Sequence, residues 1–129
     1  MIQYDDYIFR KVGVDEPDIL QQIFNLRVIC RQGSQDISFD KFPNGWSDEI
    51  DYFSEHFTVF YKNKLIASGR ITLLQNIKQH PYFPAIESIL SSSILKVPIA
   101  YLSRDQVLEE HRGQGIRGIL LKERETFCI

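Results

Sequence analysis

The sequence is poor in cysteine, methionine and tryptophan, with two, one and one in 129 residues. Cys30 and Cys128 stand far apart and match neither a metal-ligand spacing nor a C-x-x-C motif. This usage does not indicate a disulfide-stapled secreted fold, and we predict no metal site. We expect an intracellular protein whose thiols are buried or free.

Long apolar runs and a strong excess of charge are also lacking. No segment approaches the ~18 to 20 apolar residues that a membrane span requires. The acidic start of the chain has no apolar core of a signal peptide. A net charge of −2 gives no general attraction for polyanions. We therefore expect a cytoplasmic protein without a membrane or nucleic-acid partner.

The composition that is present is ordinary for a soluble globular protein, with 43% hydrophobic and 25% charged residues. A chain of this length can bury a substantial core, and no repeat or linker divides it. We predict a single domain over residues 1–129.

The first half of the chain predicts a strand, a helix and a hairpin. The strand covers residues 7–12, and the helix follows with Asp15 as its N-cap and Pro17 in its first turn. Its apolar residues recur at helical spacing, and Gly33 is predicted to end it. Residues 56–62 and 65–74 alternate as strands joined at Asn63 and Lys64, a β-hairpin.

Two stretches have no sustained period. Residues 32–54 interleave aromatic and acidic side chains, and a loop this long in a small domain is often a lid or substrate wall. The alternative is a flap that only covers the core. Residues 75–96 read as a loop with a short helical candidate at 84–90.

The last part of the chain carries the clearest chemistry. An extended run over residues 99–108 leads through a charged turn into Arg112-Gly113-Gln114-Gly115, and Ile116 then begins an apolar-periodic segment typical of a helix. The first amides of a helix have no intrahelical partner and carry its positive dipole end. Glycines allow close approach of an anion, and an arginine can bind phosphate through two hydrogen bonds. The segment therefore predicts a phosphate site, most simply for a diphosphate.

Three phosphate motifs compete for this loop. The dinucleotide pattern G-x-G-x-x-G needs a second strand with an acidic residue about 20 positions later, and the sequence to Ile129 holds none. A Walker loop needs Gly-Lys-Ser/Thr, which is absent. Residues 112–117 resemble the third, Arg-x-x-Gly-x-Gly/Ala, which is the pyrophosphate loop of the GNAT superfamily of acyl-CoA N-acyltransferases.

The resemblance implies an α/β (α+β) fold with a mixed, mostly antiparallel sheet flanked by helices. The predicted order matches the N-terminal two thirds of a GNAT domain, so the chain is expected to lack the C-terminal strands. The implied cofactor is acetyl-CoA or another acyl-CoA, with pantetheine along the strand end and the diphosphate on the loop. The cofactor residues are then Val107, Leu108, Arg112, Gly113, Gln114, Gly115, Ile116, Arg117 and Gly118.

One position departs from the motif. Arg117 stands where the family has glycine or alanine. Either this side chain swings out and adds a charge contact, or it impairs the site.

The middle of the chain resembles one branch of the superfamily, the acyl-homoserine-lactone (autoinducer) synthases and their relatives. The resemblance implies a group of substrate residues, namely Arg27, Asp48, Asp51, Arg70, Ser103 and Arg104. Tyr101 stands where those synthases have a glutamate. From the residues alone, Arg70 in mid-strand must meet an anion or water, since an arginine cannot be buried unpaired.

The implied chemistry is direct attack of an amine on the thioester carbonyl, with an oxyanion held by backbone amides near Val107. Tyr101 is the candidate catalytic residue. Strand alternation predicts that Tyr101 and Ser103 share one face and Arg104 the other.

Three functions follow. The first is transfer of an acetyl or acyl group from acyl-CoA to an amine of a small molecule or peptide. The second is an autoinducer-synthase-like acyltransferase that uses acyl-carrier protein or acyl-CoA. The third is a non-catalytic GNAT-like module that binds a partner, with a homodimer through an exposed sheet edge as one form.

Overall fold

The computed structural model describes residues 2–4, 6–31, 36–75 and 99–128. The predicted helical candidate at 84–90 lies outside these residues. The predicted helix end at Gly33 is wrong, since the first helix ends at Ile29 with Cys30 as its C-cap. The strands are β1 (Ile2–Tyr4), β2 (Tyr7–Val12), β3 (Glu55–Tyr61), β4 (Lys64–Leu74) and β5 (Ile99–Val107). The helices are α1 (Pro17–Ile29) and α2 (Ile116–Phe127), with 3-10 turns at Glu49–Phe53 and Glu109–His111.

The five strands form one sheet in the order β1-β2-β3-β4-β5. Each strand is antiparallel to its neighbours, and neighbours in the sheet are also consecutive strands in the sequence. The α+β fold class is confirmed, and the described part of the sheet is wholly antiparallel.

Helix α1 forms as the apolar spacing predicts, but its predicted cap is wrong by one residue. Glu16, not Asp15, is the N-cap, and its side chain makes no cap hydrogen bond. The Glu16 carbonyl instead accepts from the N–H groups of Ile19 and Leu20, at 3.2 and 3.1 Å. Its carboxylate pairs with Arg10 on β2, which draws the helix start toward the sheet. Pro17 occupies the first helical turn, where a missing N–H costs nothing.

The β3–β4 hairpin is confirmed, with its turn one residue earlier than predicted. Lys62 and Asn63 both have positive φ, at 50° and 65°, which is the backbone of a two-residue type I′ turn. Lys64 is consequently the first residue of β4.

A bulge in β5 breaks the predicted alternation of side chains. Ser103 pairs with Arg70 and Gln106 pairs with Ser68, so Arg104 and Asp105 together stand opposite the single residue Gly69. Arg104 has φ of +56°, the left-handed conformation of an inserted residue. The prediction that Ser103 and Arg104 face apart is therefore wrong, because the extra residue re-aims the strand.

The core lies where the helices pack on the sheet. It joins apolar residues of α1, the central strands and α2 in one cluster, which includes Leu20, Ile23, Phe24, Val59, Ile66, Ile71, Ile116 and Leu120. None of the helices in the described residues is long and apolar enough to cross a membrane. Within the same residues, no group of three potential ligand side chains could hold a metal ion.

Candidate functional site: a glycine-loop cleft beside a charged network

The structure brings all six predicted substrate residues into one hydrogen-bonded group, which we call the charged network (Arg27, Asp48, Asp51, Arg70, Ser103 and Arg104). Its centre is an ion pair between α1 and the 3-10 turn. Arg27 is 1% exposed and donates from Nη1 and Nη2 to the two carboxylate oxygens of Asp51, at 2.9 and 2.8 Å. The helix arginine is thus fully buried against a carboxylate.

Arg70 joins the sheet to the same carboxylates. Its Nη1 donates to Asp48 at 2.7 Å and to Asp51 at 3.0 Å, and its Nε donates to the Ser103 hydroxyl at 3.0 Å. Arg104 closes the group from β5, with Nη2 3.1 Å from Asp48. The buried mid-strand arginine therefore meets protein anions.

Local sequence places the two carboxylates. Asp48 caps the 3-10 turn and accepts from the Asp51 N–H, while the Asp51 side chain accepts from the Asp48 N–H at 2.8 Å. This reciprocal capping box satisfies two backbone donors at once. It also fixes both carboxylates at one turn end, where the arginines reach them.

Burial raises the pKa values of these two acids, and the neighbouring arginines lower them. Burial raises the pKa of Asp51, but its bonds with Arg27 and the charge of Arg70 outweigh burial and lower the pKa overall. Burial also opposes ionisation of Asp48, and Arg70 and Arg104 again bring its pKa below the ordinary value. Both acids are therefore charged near neutral pH.

Sequence reasoning missed His56, which lies against this network and is fully buried. Its Nε2 is 3.0 Å from the Asp51 carbonyl oxygen. Burial lowers the pKa of His56, and the charges of Arg27 and Arg70 act in the same direction. The imidazole is therefore neutral near neutral pH, and the carbonyl contact assigns the proton to Nε2.

The aromatic-acidic segment is held against the rest of the protein by Trp46. Its N–H donates to the Phe24 carbonyl and its carbonyl accepts from Arg27 Nη1, both at 3.0 Å. The Arg104 guanidinium stacks on the indole, 3.8 Å from the ring centroid. Gly45 packs so closely that an added Cβ would lie 2.6 Å from the Phe24 Cβ. These contacts fix the described part of the segment as a wall beside the network, so its role as a lid stays a prediction.

The second feature is the glycine-loop cleft, of about 400 Å³, between the end of α1 and the start of α2. It holds most of the predicted cofactor loop. The lining residues are Cys30, Arg31, Asp105, Gln106, Val107, His111, Arg112, Gly113, Gly115, Ile116, Arg117 and Gly118.

The loop has the backbone that the glycine spacing predicts. Gly113 and Gly115 have φ of +82° and +78°, and α2 begins at Ile116, directly after Gly115. An added Cβ on Gly113, Gly115 or Gly118 would meet no atom within 4 Å. Open space thus lies over the loop, as a ligand in close backbone contact would require.

The amides of residues 113–118 have no hydrogen-bond acceptor in the part of the chain that the structure describes. The flanking amides are occupied, since Arg112 N–H donates to the Glu109 carbonyl and Ile119 N–H to the Gly115 carbonyl, both at 3.2 Å. Unpaired amides at a helix N-terminus form a ready site for phosphate.

Val107 and Leu108, the two residues predicted to contact pantetheine, differ in whether their backbone groups are free to bind it. Leu108 is buried and its N–H already donates to the Ile66 carbonyl at 2.8 Å. Alternation along the strand then turns the peptide group of Val107 to the opposite, outer side of β5. The Val107 carbonyl there accepts from Arg112 Nε at 3.0 Å. Val107 is thus the better-placed backbone contact.

The predicted catalytic residue Tyr101 lies on β5 opposite Thr72 and is partly exposed. It is eleven positions before Arg112, near the other end of the strand from the glycine loop. Tyr101 and the glycine loop therefore lie toward opposite ends of β5, with Ser103 and Arg104 of the charged network between them.

Sequence reasoning also missed an ion pair that ties α2 to the sheet. The Arg124 guanidinium is fully buried and bonds both carboxylate oxygens of Asp105, with Nη2 2.7 Å from Oδ2. Gly69 makes room for this pair, since an added Cβ would lie 2.9 Å from the Arg124 guanidinium. A glycine inside a strand signals such close approach, so Gly69 was the readable clue.

Two further residues shape the cleft. The His111 ring packs on Tyr7 and Tyr61, and the Tyr7 hydroxyl lies 2.9 Å from His111 Nδ1. Burial raises the pKa of the Cys30 thiol, which keeps it protonated and unreactive.

No protein-family model matches the chain. A sequence comparison with curated proteins finds no match either.

Solved structures do share the fold. An aminoglycoside acetyltransferase from an uncultured soil metagenomic sample matches at 9% identity with a TM-score of 0.59, over 94% of this chain and 70% of that one. A GCN5-related N-acetyltransferase from Ralstonia eutropha JMP134 matches at 15% identity and TM-score 0.57, over 93% and 74%. A predicted acetyltransferase with acetyl-CoA from Clostridium acetobutylicum matches at 18% and 0.55, over 92% and 70%.

At identities of 9 to 18%, these likenesses concern the fold. The chain spans 70 to 74% of the length of these three structures. It has the fold of the GCN5-related N-acetyltransferases, the GNAT fold that the sequence resemblance implies.

Proposed function

We propose that the protein is an N-acyltransferase that moves an acetyl or other acyl group from acyl-CoA to an amine of a small molecule or peptide. In this proposal the amides of residues 113–118 cradle the diphosphate, with Arg112 beside them. The pantetheine arm runs along the outer side of β5 at Val107.

The observation that carries the proposal is a run of six amides at an open cleft that have no hydrogen-bond acceptor among the described residues. Consecutive amides at a helix start offer aligned donors and a positive dipole end. The cleft also has room for a bulky anion above its glycines. The fold supports the donor assignment, since the Clostridium acetobutylicum structure contains acetyl-CoA. The acceptor class draws support from a soil-metagenome relative whose structure is a complex with sisomicin.

The proposed reaction forms a bond between the amine nitrogen and the acyl carbon and breaks the carbon–sulfur bond. The ammonium must lose a proton, and the departing thiolate must gain one. The Val107 N–H on the outer side of β5 is the proposed donor to the oxyanion, and Tyr101 is the proposed polar side chain for proton transfer. The main contribution of the protein would be to hold the amine and thioester at attack distance.

Calorimetric titration with CoA tests the donor site. We expect saturable binding by the wild type, and Arg112→Ala should weaken it by about tenfold, the value of one charge-assisted contact. Lys122→Ala is the matched control, because Lys122 is an exposed cation on α2 outside the cleft. The proposal fails if folded wild-type protein binds no CoA at millimolar concentration.

Release of free thiol from acetyl-CoA then tests turnover. The amine panel should contain a polyamine, an aminoglycoside and a peptide with a free N-terminus. We expect acceptor-dependent thiol release with at least one of them. CoA binding without any acceptor-dependent release would leave a CoA-binding module in place of an enzyme.

The charged network favours a second candidate, an autoinducer-synthase-like acyltransferase. The six residues that resemble that branch come from four different elements, yet they meet in one hydrogen-bonded group. Incubation with acyl-carrier protein and S-adenosylmethionine tests this candidate. A higher turnover with that pair than with acetyl-CoA and amines would favour it over the first.

The third candidate, a non-catalytic partner-binding module, rests on β5. Within the described residues, no strand pairs with its outer side, and an unpaired edge invites pairing with another chain. A stable dimer that ignores CoA would favour this candidate, and a CoA-binding monomer would exclude it.

A further inference from the structure

The inference concerns Arg117, the residue that departs from the loop motif. Its side chain is 79% exposed and lines the glycine-loop cleft. Its Nε lies 3.9 Å from Asp105 Oδ2, at the limit of an ion pair. No atom of Arg117 lies within 4 Å of the Cβ positions built on Gly113 and Gly115, so the side chain leaves the space above these glycines open.

Asp105 does not depend on Arg117 for its charge balance. Both of its carboxylate oxygens are bonded by the buried guanidinium of Arg124. The contact with Arg117 is longer, lies at the surface and uses Nε, so neither Nη group of Arg117 is committed to it. An exposed pair of this kind contributes little stability, and its release costs correspondingly little.

The remaining cleft wall also points to an anionic, amide-bearing ligand. Arg31 and Arg112 add two further guanidinium groups, and Asp105 is the sole carboxylate among the lining residues. Gln106 is 7% exposed, lines the cleft, and its Oε1 has no hydrogen-bond partner among the described residues. A buried amide oxygen without a partner is an independent sign that the cleft is completed by a ligand, since such groups are normally satisfied.

We propose that Arg117 is a phosphate-binding residue that leaves Asp105 and places its Nη groups on the donor, which selects a donor with several phosphates. This inference rests on the proposed function and names its donor class. In the proposed function the loop amides and Arg112 already hold the diphosphate, so a single phosphate group needs no further cation. A second released guanidinium beside them matches the additional charges of CoA and finds no partner on the single phosphate of a carrier-bound phosphopantetheine.

The test compares the dissociation constants of CoA and 4′-phosphopantetheine by calorimetry, for the wild type, Arg117→Ala, Arg117→Lys and Lys122→Ala. Alanine restores the small residue of the motif and favours the helix, so the variant should fold. We expect Arg117→Ala to weaken CoA by about tenfold and phosphopantetheine by less than about threefold. Arg117→Lys should recover part of the loss, and Lys122→Ala should stay within about twofold for both ligands.

The outcomes separate this inference from the proposed function. Unchanged or tighter CoA binding by Arg117→Ala overturns the inference and would mean that the side chain obstructs the site, while the function stands. Equal losses for the two ligands overturn the donor selectivity. A wild type that binds neither ligand overturns both the function and the inference.

Discussion

The charged network and the glycine loop are both rich in polar groups, and the sequence predicts a binding role for each, but they differ in where their hydrogen bonds go. The guanidinium groups of the network bond to carboxylates of the protein. Arg27, Arg70 and Asp51 are fully buried. The amides of residues 113–118 bond to no described protein group. Most donors of the network are used within the protein, although Arg27 Nε and Arg70 Nη2 are buried without a partner among the described residues. The loop amides are open as a row, so a ligand bound there would satisfy several donors at once.

The energetic consequences differ in the same way. Removing one partner from a buried ion pair leaves an uncompensated charge in a low-dielectric interior, which is strongly destabilising. Changing an exposed loop leaves the core intact. We therefore expect changes in the network to act mainly on the free energy of unfolding and changes in the loop to act mainly on CoA affinity.

Acid should have the largest effect, because it acts on the whole network at once. The pKa of His56 is lowered in the folded state, so its contribution is present above the unfolded value of about 6.5 and is lost as the pH falls below it. The lowered pKa values of Asp48 and Asp51 contribute above about 3.9 and are lost as the pH falls further. Urea unfolding at pH 8, 5 and 3 should show two stages of decline.

His56→Gln keeps a donor of similar reach toward the Asp51 carbonyl and should flatten the first stage alone. Equal stability of the wild type at pH 8 and pH 5 would contradict the assignment of a buried neutral imidazole.

Arg27→Ala should have the next largest effect, a loss of about 3 to 5 kcal/mol in the free energy of unfolding. The substitution removes both bonds to one face of the buried Asp51 carboxylate. Chemical denaturation measures the loss, and Arg31→Ala, an exposed arginine just beyond the same helix, should cost no more than about 1 kcal/mol. A similar result for the two variants would show that the network does not stabilise the fold.

Gly69→Ala should be intermediate, with a loss of about 1 to 3 kcal/mol. Its new Cβ would lie 2.9 Å from the Arg124 guanidinium and 3.0 Å from Asp105 Oδ1, so the pair that ties α2 to β5 must shift. Thermal and urea unfolding measure the change. Wild-type stability would mean that the Asp105–Arg124 pair can relocate without loss.

Gly118→Ala should have the smallest effect and the opposite sign. Gly118 lies in the first turn of α2, its φ is not positive, and its new Cβ would meet no protein atom within 4 Å. The helix should therefore gain about 0.5 to 1 kcal/mol. CoA titration of the same variant sharpens the comparison, since weaker binding by a more stable protein would place the ligand against this face.

Much of the backbone could be predicted from local pattern. The alternation of β3 and β4, the apolar spacing of α1 and the glycines before Ile116 all correspond to observed elements. Errors arise where a distant contact decides the boundary. The cap moves from Asp15 to Glu16, whose side chain is drawn to Arg10 on β2.

The bulge at Arg104 shows a second limit. Strand alternation is a rule for regular strands, and the sequence of β5 carries no glycine or proline that marks the inserted residue. The signal lay on the neighbouring strand, at Gly69, where the bulge and the Arg124 guanidinium approach the backbone.

The sequence by itself determined the glycine loop, because positive φ at Gly113 and Gly115 and the helix start at Ile116 depend on a few consecutive residues. Only the tertiary structure decided that the predicted substrate residues pair with one another, because Arg27 and Asp51 lie 24 positions apart and Arg104 and Asp48 lie 56 apart. It also decided that Asp105 is bonded through both carboxylate oxygens by Arg124 from the far end of α2, which leaves Arg117 only a longer contact with it. Backbone conformation follows from neighbours in sequence, whereas the pairing of charges follows from distances that only the folded chain sets.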